Sequence, residues 1–379
     1  MNKNLHLLID VNQSNWYVEK CLKYAPECND SFVTFSEGKK LQHQHVECVK
    51  PDAAAYDAWA LRLNSGEFNQ VVINYFDYPA AELVSRVHNE NVAIIWVIWG
   101  ADLYSLPHFW NRVYDPFAAN FCGVSHMNHW RKMFRLWKRR LRHGMNDYRF
   151  LYSAMRKVTH GATLVEQDVA YLRKYFNRHA KQIPLSFSGI EDFVNAASSK
   201  ENLKDNTIQI GNSGDPTNNH VEMLKLIGSL QVENRIFIPV AYGTKEYIDL
   251  LPPIAQSLFR HDQVVFQTEY IDKQRYFEQL STTGFAVMGH TRQQAFANIV
   301  ALLYFGAKVF LRNRNPLLET FRSWGLIVFS VESDLNATSL AAPLSVDDQA
   351  KNRETISRHL NEHRMREYYR DVMLTDHSR

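Results

Sequence analysis

Four cysteines are all that 379 residues carry, Cys21, Cys28, Cys48 and Cys122, and none forms a CxxC pair or a metal-like grouping with histidine. That scarcity excludes a disulfide scaffold and a zinc ribbon, and it fits a reduced, cytoplasmic chain. No run of 18 apolar residues occurs, so nothing reads as a membrane span. The short apolar stretch ending at Asp10 reads as a strand rather than a signal peptide. Neither GxGxxG nor a Walker Lys-Ser/Thr is present, and the net charge of +3 is too small to argue for nucleic acid. What remains is an ordinary globular composition, 45% hydrophobic and 22% charged, in a chain long enough for two domains.

Short apolar runs alternate with longer helical patterns, which predicts parallel α/β architecture. The first half has such runs at 5–10, 31–35, 70–75, 92–99 and 162–165. The second has them at 207–211, 235–240, 264–268, 284–288, 307–311 and 326–330. Their continuous apolar character suits strands buried on both faces. The polar stretch 195–206 reads as part of a linker. The expected division is a Rossmann-like domain over 1–190, a second over 207–345 and a charged helical tail over 346–379. Sheets of this kind bind ligands beyond the carboxyl ends of their strands, so two facing halves predict one cleft.

The polar groups gather at those strand ends. After 207–211 comes "GNSGDPTNNH", which sets Gly211, Asn212, Ser213, Gly214, Asp215 and His220 before a helix. Glycine permits close backbone approach, and a helix N-terminus attracts anions. A decorated turn with an N-cap would look similar. After 284–288, "GHTRQQ" places His290, Arg292, Gln293 and Gln294 at another helix start, where a guanidinium suits a pyrophosphate. A third strand is followed by "RNRN", with Arg312 and Asn315. In the first half, "WVIWGADLY" sets Asp102 between Trp99 and Tyr104. A carboxylate there suits general-base work or sugar recognition, or simply caps a helix. Asp10, Asn12 and Gln13 follow the first strand.

One more segment stands apart. "HWRKMFRLWKRRLRH" (129–143) holds seven Lys/Arg and no acid. At helical spacing Trp130, Phe134, Trp137 and Leu141 share a face, with Arg131, Arg135, Lys138 and Arg142 in the adjoining row. A basic amphipathic helix edged with Trp reads as an element for an anionic membrane surface; a solvated basic helix packed on the core is the alternative. Aromatics on a buried face do not stack bases, which counts against nucleic acid.

Together, "WVIWGADLY", "GNSGD" with "NNH", and "RQQ" ahead of "RNRNP" resemble glycosyltransferase family 56, the 4-α-L-fucosyltransferase family that includes a TDP-4-acetamido-4,6-dideoxygalactose transferase. The likeness runs in register from about residue 90 to 335 and weakens before it. It implies a GT-B fold, two Rossmann-like domains facing across a cleft, with no required metal or other cofactor. It implies a dTDP-sugar donor held mainly by the C-terminal domain, with the loop at 211–215 over the diphosphate and sugar. It also implies a lipid-linked saccharide acceptor at the cytoplasmic face of a bacterial inner membrane. On that reading Asp102 is the expected base of an inverting transfer, with Asp10, Asn12, Gln13, Trp99 and Tyr104 on the acceptor side. A non-catalytic nucleotide-sugar or head-group binding protein, and a sugar-nucleotide epimerase, are the competing readings.

Overall fold

The structure, a computed structural model, describes residues 3–124, 148–194 and 204–374. They form two compact units. One comprises residues 3–106, 148–187 and 363–374, and the other 107–124, 188–194 and 204–362.

The first unit is built on a sheet of β1 (Lys3–Leu8), β2 (Asn29–Thr34), β3 (Val46–Cys48), β4 (Gln70–Asn74), β5 (Ala93–Val97), β6 (His160–Ala162) and β7 (Lys181–Ile183). Their order is β3-β2-β1-β4-β5-β6-β7, and every neighbouring pair is parallel. The second unit has β8 (Thr207–Ile210), β9 (Arg235–Pro239), β10 (Val264–Gln267), β11 (Phe285–Met288), β12 (Lys308–Leu311) and β13 (Phe329–Ser330). Their order is β10-β9-β8-β11-β12-β13, again parallel throughout.

The apolar runs explain the strands. All five residues of β4 and of β5 are buried, as are all four of β8 and of β11. In the second unit Ile208, Ile210, Phe285 and Val287 pack with Val221, Leu224 and Ile227 of the helix His220–Ser229. Strands β3 and β7 escape sequence reading because each is three residues long and partly exposed. The run expected at 162–165 pairs two residues earlier, as His160–Ala162.

Each sheet reverses its winding once, between β1 and β4 and between β8 and β11. The register levels these pairs: Leu8 stands opposite Asn74, and Ile210 opposite Val287. The loops leaving β1 and β4 therefore start side by side, as do those leaving β8 and β11. Such switch points are where doubly wound sheets hold ligands.

Two segments depart from the expected division. Residues 107–124 pack in the second unit, held by Asn219, whose side chain accepts the Asp115 N–H (2.7 Å) and donates to the Val113 and Gly289 carbonyls (3.2 and 3.0 Å). The helix Glu362–Leu374 packs in the first unit. Asn4 and Gln70, at the starts of β1 and β4, donate to its last carbonyls, Met373 and Val372, at 2.9 and 2.6 Å. The segment 129–143 lies outside the described residues, as does most of the linker at 195–206.

Candidate active site

The switch point of the second sheet carries the densest polar arrangement. Gly211 leaves β8 at φ +68°, and a Cβ there would lie 2.8 Å from both Asn218 Oδ1 and His220 Nε2. Only glycine lets the backbone turn this close to the two side chains. Asn218 then stitches the loop together, accepting the Asn212 N–H (3.1 Å) and donating to Ser213 Oγ and the Asp215 carbonyl (3.1 and 3.2 Å). Gly214 pairs with the turn after β9, donating to the Tyr242 carbonyl and accepting from Thr244 N–H. Asp215 caps the short turn Pro216–Asn218 through Thr217 N–H (2.9 Å).

The loop leaving β11 reaches this one through side chains. Thr217 Oγ1 lies 2.5 Å from Asp215 Oδ1 and 2.8 Å from Gln294 Oε1, and it accepts an Arg292 N–H at 3.3 Å. Gln294 also donates to Asn212 Oδ1, and Asn212 to the Tyr242 hydroxyl, each at 3.3 Å. Asn212, Asp215, Arg292 and Gln294 are thus brought together as the sequence suggested. Three further residues join them. Thr217 is the hub, Tyr242 is an exposed residue beside the loop, and Tyr114 stands close enough to feel two site charges. Burial pushes the Tyr114 phenol up, Cys122 and Asp215 add to this, and Arg292 opposes it. Sequence reading missed Tyr114 because its segment was assigned to the other half.

Beneath the loops lie two buried histidines. His290 Nε2 is 3.0 Å from the Gln294 carbonyl, so that nitrogen carries the proton. His220 opens its helix with neither ring nitrogen partnered among the described residues, and its ring stands 5.8 Å from that of Tyr247. Desolvation lowers His290 to about 3 and His220 to about 4. Both are neutral near pH 7 and add no charge to the site. Gln293 holds a buried Oε1 without a partner among the described residues.

Two expected donor contacts are corrected. The Arg312 guanidinium is paired on both edges with carboxylates, Glu222 at 2.7 Å and Glu332 at 2.6 Å, so its charge is already compensated. Asn315 is buried; it caps the helix Pro316–Trp324 through Leu317 N–H (3.0 Å) and donates to the His290 carbonyl (3.1 Å). It ties β12 to β11 and serves the scaffold.

The first unit also corrects its sequence reading. Asp102 is 2% exposed. Oδ2 accepts Trp96 Nε1–H at 2.6 Å and Phe76 N–H at 3.2 Å; Oδ1 accepts Trp99 and Leu103 N–H, both at 3.1 Å. A carboxylate saturated by four protein donors holds the turn after β5 and has no lone pair to offer an acceptor hydroxyl. Burial raises it to about 6 against the pull of those donors. Tyr104 is buried and donates to Asp168 at 2.7 Å. Asp10 accepts the N–H groups of Lys39, Lys40 and Leu41 at 2.7–2.9 Å, clamping the loop after β2. Asn12 and Gln13 are exposed in the first turn of the helix Asn12–Tyr24. Trp99 remains half-buried, edge-on to Tyr75 at 5.9 Å and to Phe187 at 5.1 Å.

Solved structures share this architecture. Sucrose-phosphate synthase from Thermosynechococcus elongatus matches 99% of this chain over all of its own, at 12% identity and a TM-score of 0.65. Anabaena HepE in complex with UDP-glucose matches over the same shares at 11% identity and 0.65. A glycosyltransferase from Rickettsia africae matches 98% of each chain at 11% identity and 0.62. The fold is GT-B. The sequence profile of 4-alpha-L-fucosyltransferase, glycosyl transferase group 56, matches residues 123–352, more than half of the chain and all of the two strand-end loops described above. The chain belongs to glycosyl transferase group 56 and is a glycosyltransferase.

Proposed function

We propose that this glycosyltransferase takes a deoxyamino sugar of the 4-acetamido-4,6-dideoxygalactose type from a dTDP donor. It passes the sugar to a lipid-linked saccharide at the cytoplasmic face of a bacterial inner membrane. The observation that carries the reading is the convergence of the 211–220 and 289–294 loops on the switch point of the second sheet, joined through Thr217, with Arg292 beside them. That is a place for a diphosphate: a cation, hydroxyls, amides and main-chain N–H groups at two strand ends. HepE, of the same fold, was crystallised with UDP-glucose, which supports a nucleotide-sugar here. The sugar and the lipid-linked acceptor come from the family resemblance alone.

The chemistry follows from those groups. The acceptor oxygen attacks the anomeric carbon as the bond to the diphosphate breaks, and the leaving dTDP carries the electron pair away. Arg292 meets the charge that grows on it, since both site histidines are neutral. Asp215, Gln294 and Asn212 orient the sugar. No helix among the described residues is long and apolar enough to cross a membrane, so attachment is assigned to the basic segment 129–143.

Calorimetry with dTDP tests the donor site. A charge-assisted hydrogen bond contributes about 1.5–3 kcal/mol, so Arg292→Ala should weaken dTDP binding about tenfold or more. Unchanged affinity moves the diphosphate elsewhere. Transfer of label from the dTDP-sugar to a short-chain polyprenyl-diphosphate disaccharide tests the reaction itself.

A further inference from the structure

Asn219 stands where an asparagine usually caps a helix, yet it caps nothing. It precedes the helix His220–Ser229, whose first turn has N–H groups to satisfy. Its backbone is at φ +53°, in the left-handed region that asparagine tolerates better than most residues. Its side chain makes no capping bond and is buried, 1% exposed. It turns instead to two other segments. Oδ1 accepts the Asp115 N–H at 2.7 Å, while Nδ2 donates to the Val113 carbonyl at 3.2 Å and the Gly289 carbonyl at 3.0 Å.

The missing cap is supplied from 107 residues away. Asp115 Oδ2 accepts the Glu222 N–H, in the first turn of the same helix, at 3.3 Å. Its other oxygen caps the helix Pro116–Phe121 through Ala118 N–H at 2.6 Å. Asn219 and Asp115 thus hold each other in the manner of a capping box, but between two distant segments. A second clasp lies nearby, where Thr291 Oγ1 donates to the Arg112 carbonyl at 2.6 Å. Residues 112–115 are therefore a strap fastened to both donor loops, at 219 beyond β8 and at 289–291 beyond β11. All of these residues belong to the second unit. Tyr114, which feels Asp215 and Arg292, is carried between the clasps.

The fit leaves little slack. A Cβ on Gly289 would lie 2.4 Å from the Asn218 carbonyl oxygen and 2.7 Å from Met223 Cγ, so the two loops touch with no room between them. The same loops meet again through Thr217, which is 2.8 Å from Gln294 Oε1 and 3.3 Å from the Arg292 guanidinium. That last contact is already long for an N–H···O bond. The spacing of the loops decides whether Arg292 stays beside Thr217.

We propose that Asn219 is a positioning residue of the donor site. Locked to Asp115, it sets the spacing of the two loops and so holds Arg292 where the donor diphosphate meets it. Buried as it is, it acts through the loop that carries Arg292. The inference rests on the donor reading proposed above.

Asn219→Gly tests it, because glycine adopts the left-handed backbone freely and removes all three side-chain bonds. Calorimetry with dTDP, run well below the variant's melting temperature, should show affinity about tenfold weaker, the size expected for a lost Arg292 contact. A residue that serves stability alone would lower the melting temperature and leave the folded protein's affinity unchanged. Affinity within about twofold of wild type therefore overturns the proposal. A double-mutant cycle identifies the route. In an Arg292→Ala background Asn219→Gly should weaken dTDP less than about threefold, because the guanidinium it positions is gone; a second full loss of about tenfold overturns the assignment. Should Asn219→Gly fail to fold, Thr291→Val takes its place, since it releases the other clasp at a partly exposed position. Binding weakened about threefold or more at an unchanged melting temperature supports the proposal, and unchanged affinity overturns it. A wild type that does not bind dTDP, or an Arg292→Ala variant that binds it as tightly as wild type, sinks the donor reading first. Weaker binding in Arg292→Ala with none in Asn219→Gly sinks this inference alone.

Discussion

Acidification from pH 7 to pH 5 probes the burial of the two site histidines. His220 and His290 are fully buried, with values lowered by desolvation to about 4 and about 3 against an ordinary 6.5. A group whose folded value is depressed stays neutral in the native state while the unfolded chain takes up its proton. Below pH 6.5 the unfolded state therefore binds one more proton per histidine, and stability falls by about 1.4 kcal/mol per pH unit for each. Between pH 7 and 5 that amounts to about 2 kcal/mol apiece, or about 4 for the pair, a large part of a typical 5–15 kcal/mol. The first unit responds in the opposite sense. Asp77 and Asp102, both raised to about 6, take up protons first in the folded state, so acid stabilises them over the same window. The mirrored response can be read by hydrogen exchange corrected for intrinsic rate. Protection at Thr207–Ile210 and Phe285–Met288 should drop from pH 7 to 5, while Gln70–Asn74 and Ala93–Val97 should hold or gain. NMR of the imidazole carbons is the direct measurement. Either histidine titrating between pH 6 and 7 in the folded protein refutes the argument, as does an unchanged pH slope of the second unit in His220→Gln.

Arg312→Ala should leave dTDP affinity within about twofold and lower stability by about 1–2 kcal/mol, discounted because Glu222 and Glu332 are each about two-fifths exposed or less. Tenfold weaker dTDP binding in that variant would return Arg312 to the donor site. If segment 129–143 holds the enzyme on anionic lipid, wild type floats with anionic liposomes at low salt and less so at about 0.5 M. Replacing Arg131, Arg135, Lys138 and Arg142 with Gln should then abolish flotation while sparing the melting temperature, and a wild type left at the bottom of the gradient ends that assignment.

What could be read from the sequence was local. The ends of β8 and β11 announce themselves because an apolar run stops and Gly, Asn, His and Arg begin, so Asn212, Asp215, Arg292 and Gln294 can be singled out without knowing that the two strands pair. The pairing itself is a long-range fact. It makes a single site of loops 77 residues apart, joined from Thr217 to Gln294. The errors have the same origin. Arg312 looked available because Glu222 and Glu332, its partners, lie 90 and 20 residues away. Tyr114 was overlooked because the Asn219 clamp that carries its segment into the second unit spans more than 100 residues.

Asp77 and Asp102 state the problem most sharply. In the sequence both are a carboxylate just past a buried strand, each with aromatic neighbours, and the second drew attention because its motif was the more distinctive. Neither composition nor spacing separates a carboxylate with acceptor capacity to spare from one spent on holding a turn; the number of donors around it does. Asp102 has four, among them the indole of Trp96 reaching back from within β5, and is sealed from solvent. Asp77 accepts the Ala80 cap N–H and is less completely sealed. The two carboxylates also feel each other, because the buried Asp102 charge adds to the desolvation that raises Asp77. Asp102→Asn should accordingly lower the pH at which the Asp77 carboxyl titrates, read by NMR of its carboxyl carbon, and loosen the turn after β5, where one oxygen that accepts two hydrogen bonds becomes a donor. An Asp77 carboxyl that titrates in that variant where it does in the wild type would refute the coupling.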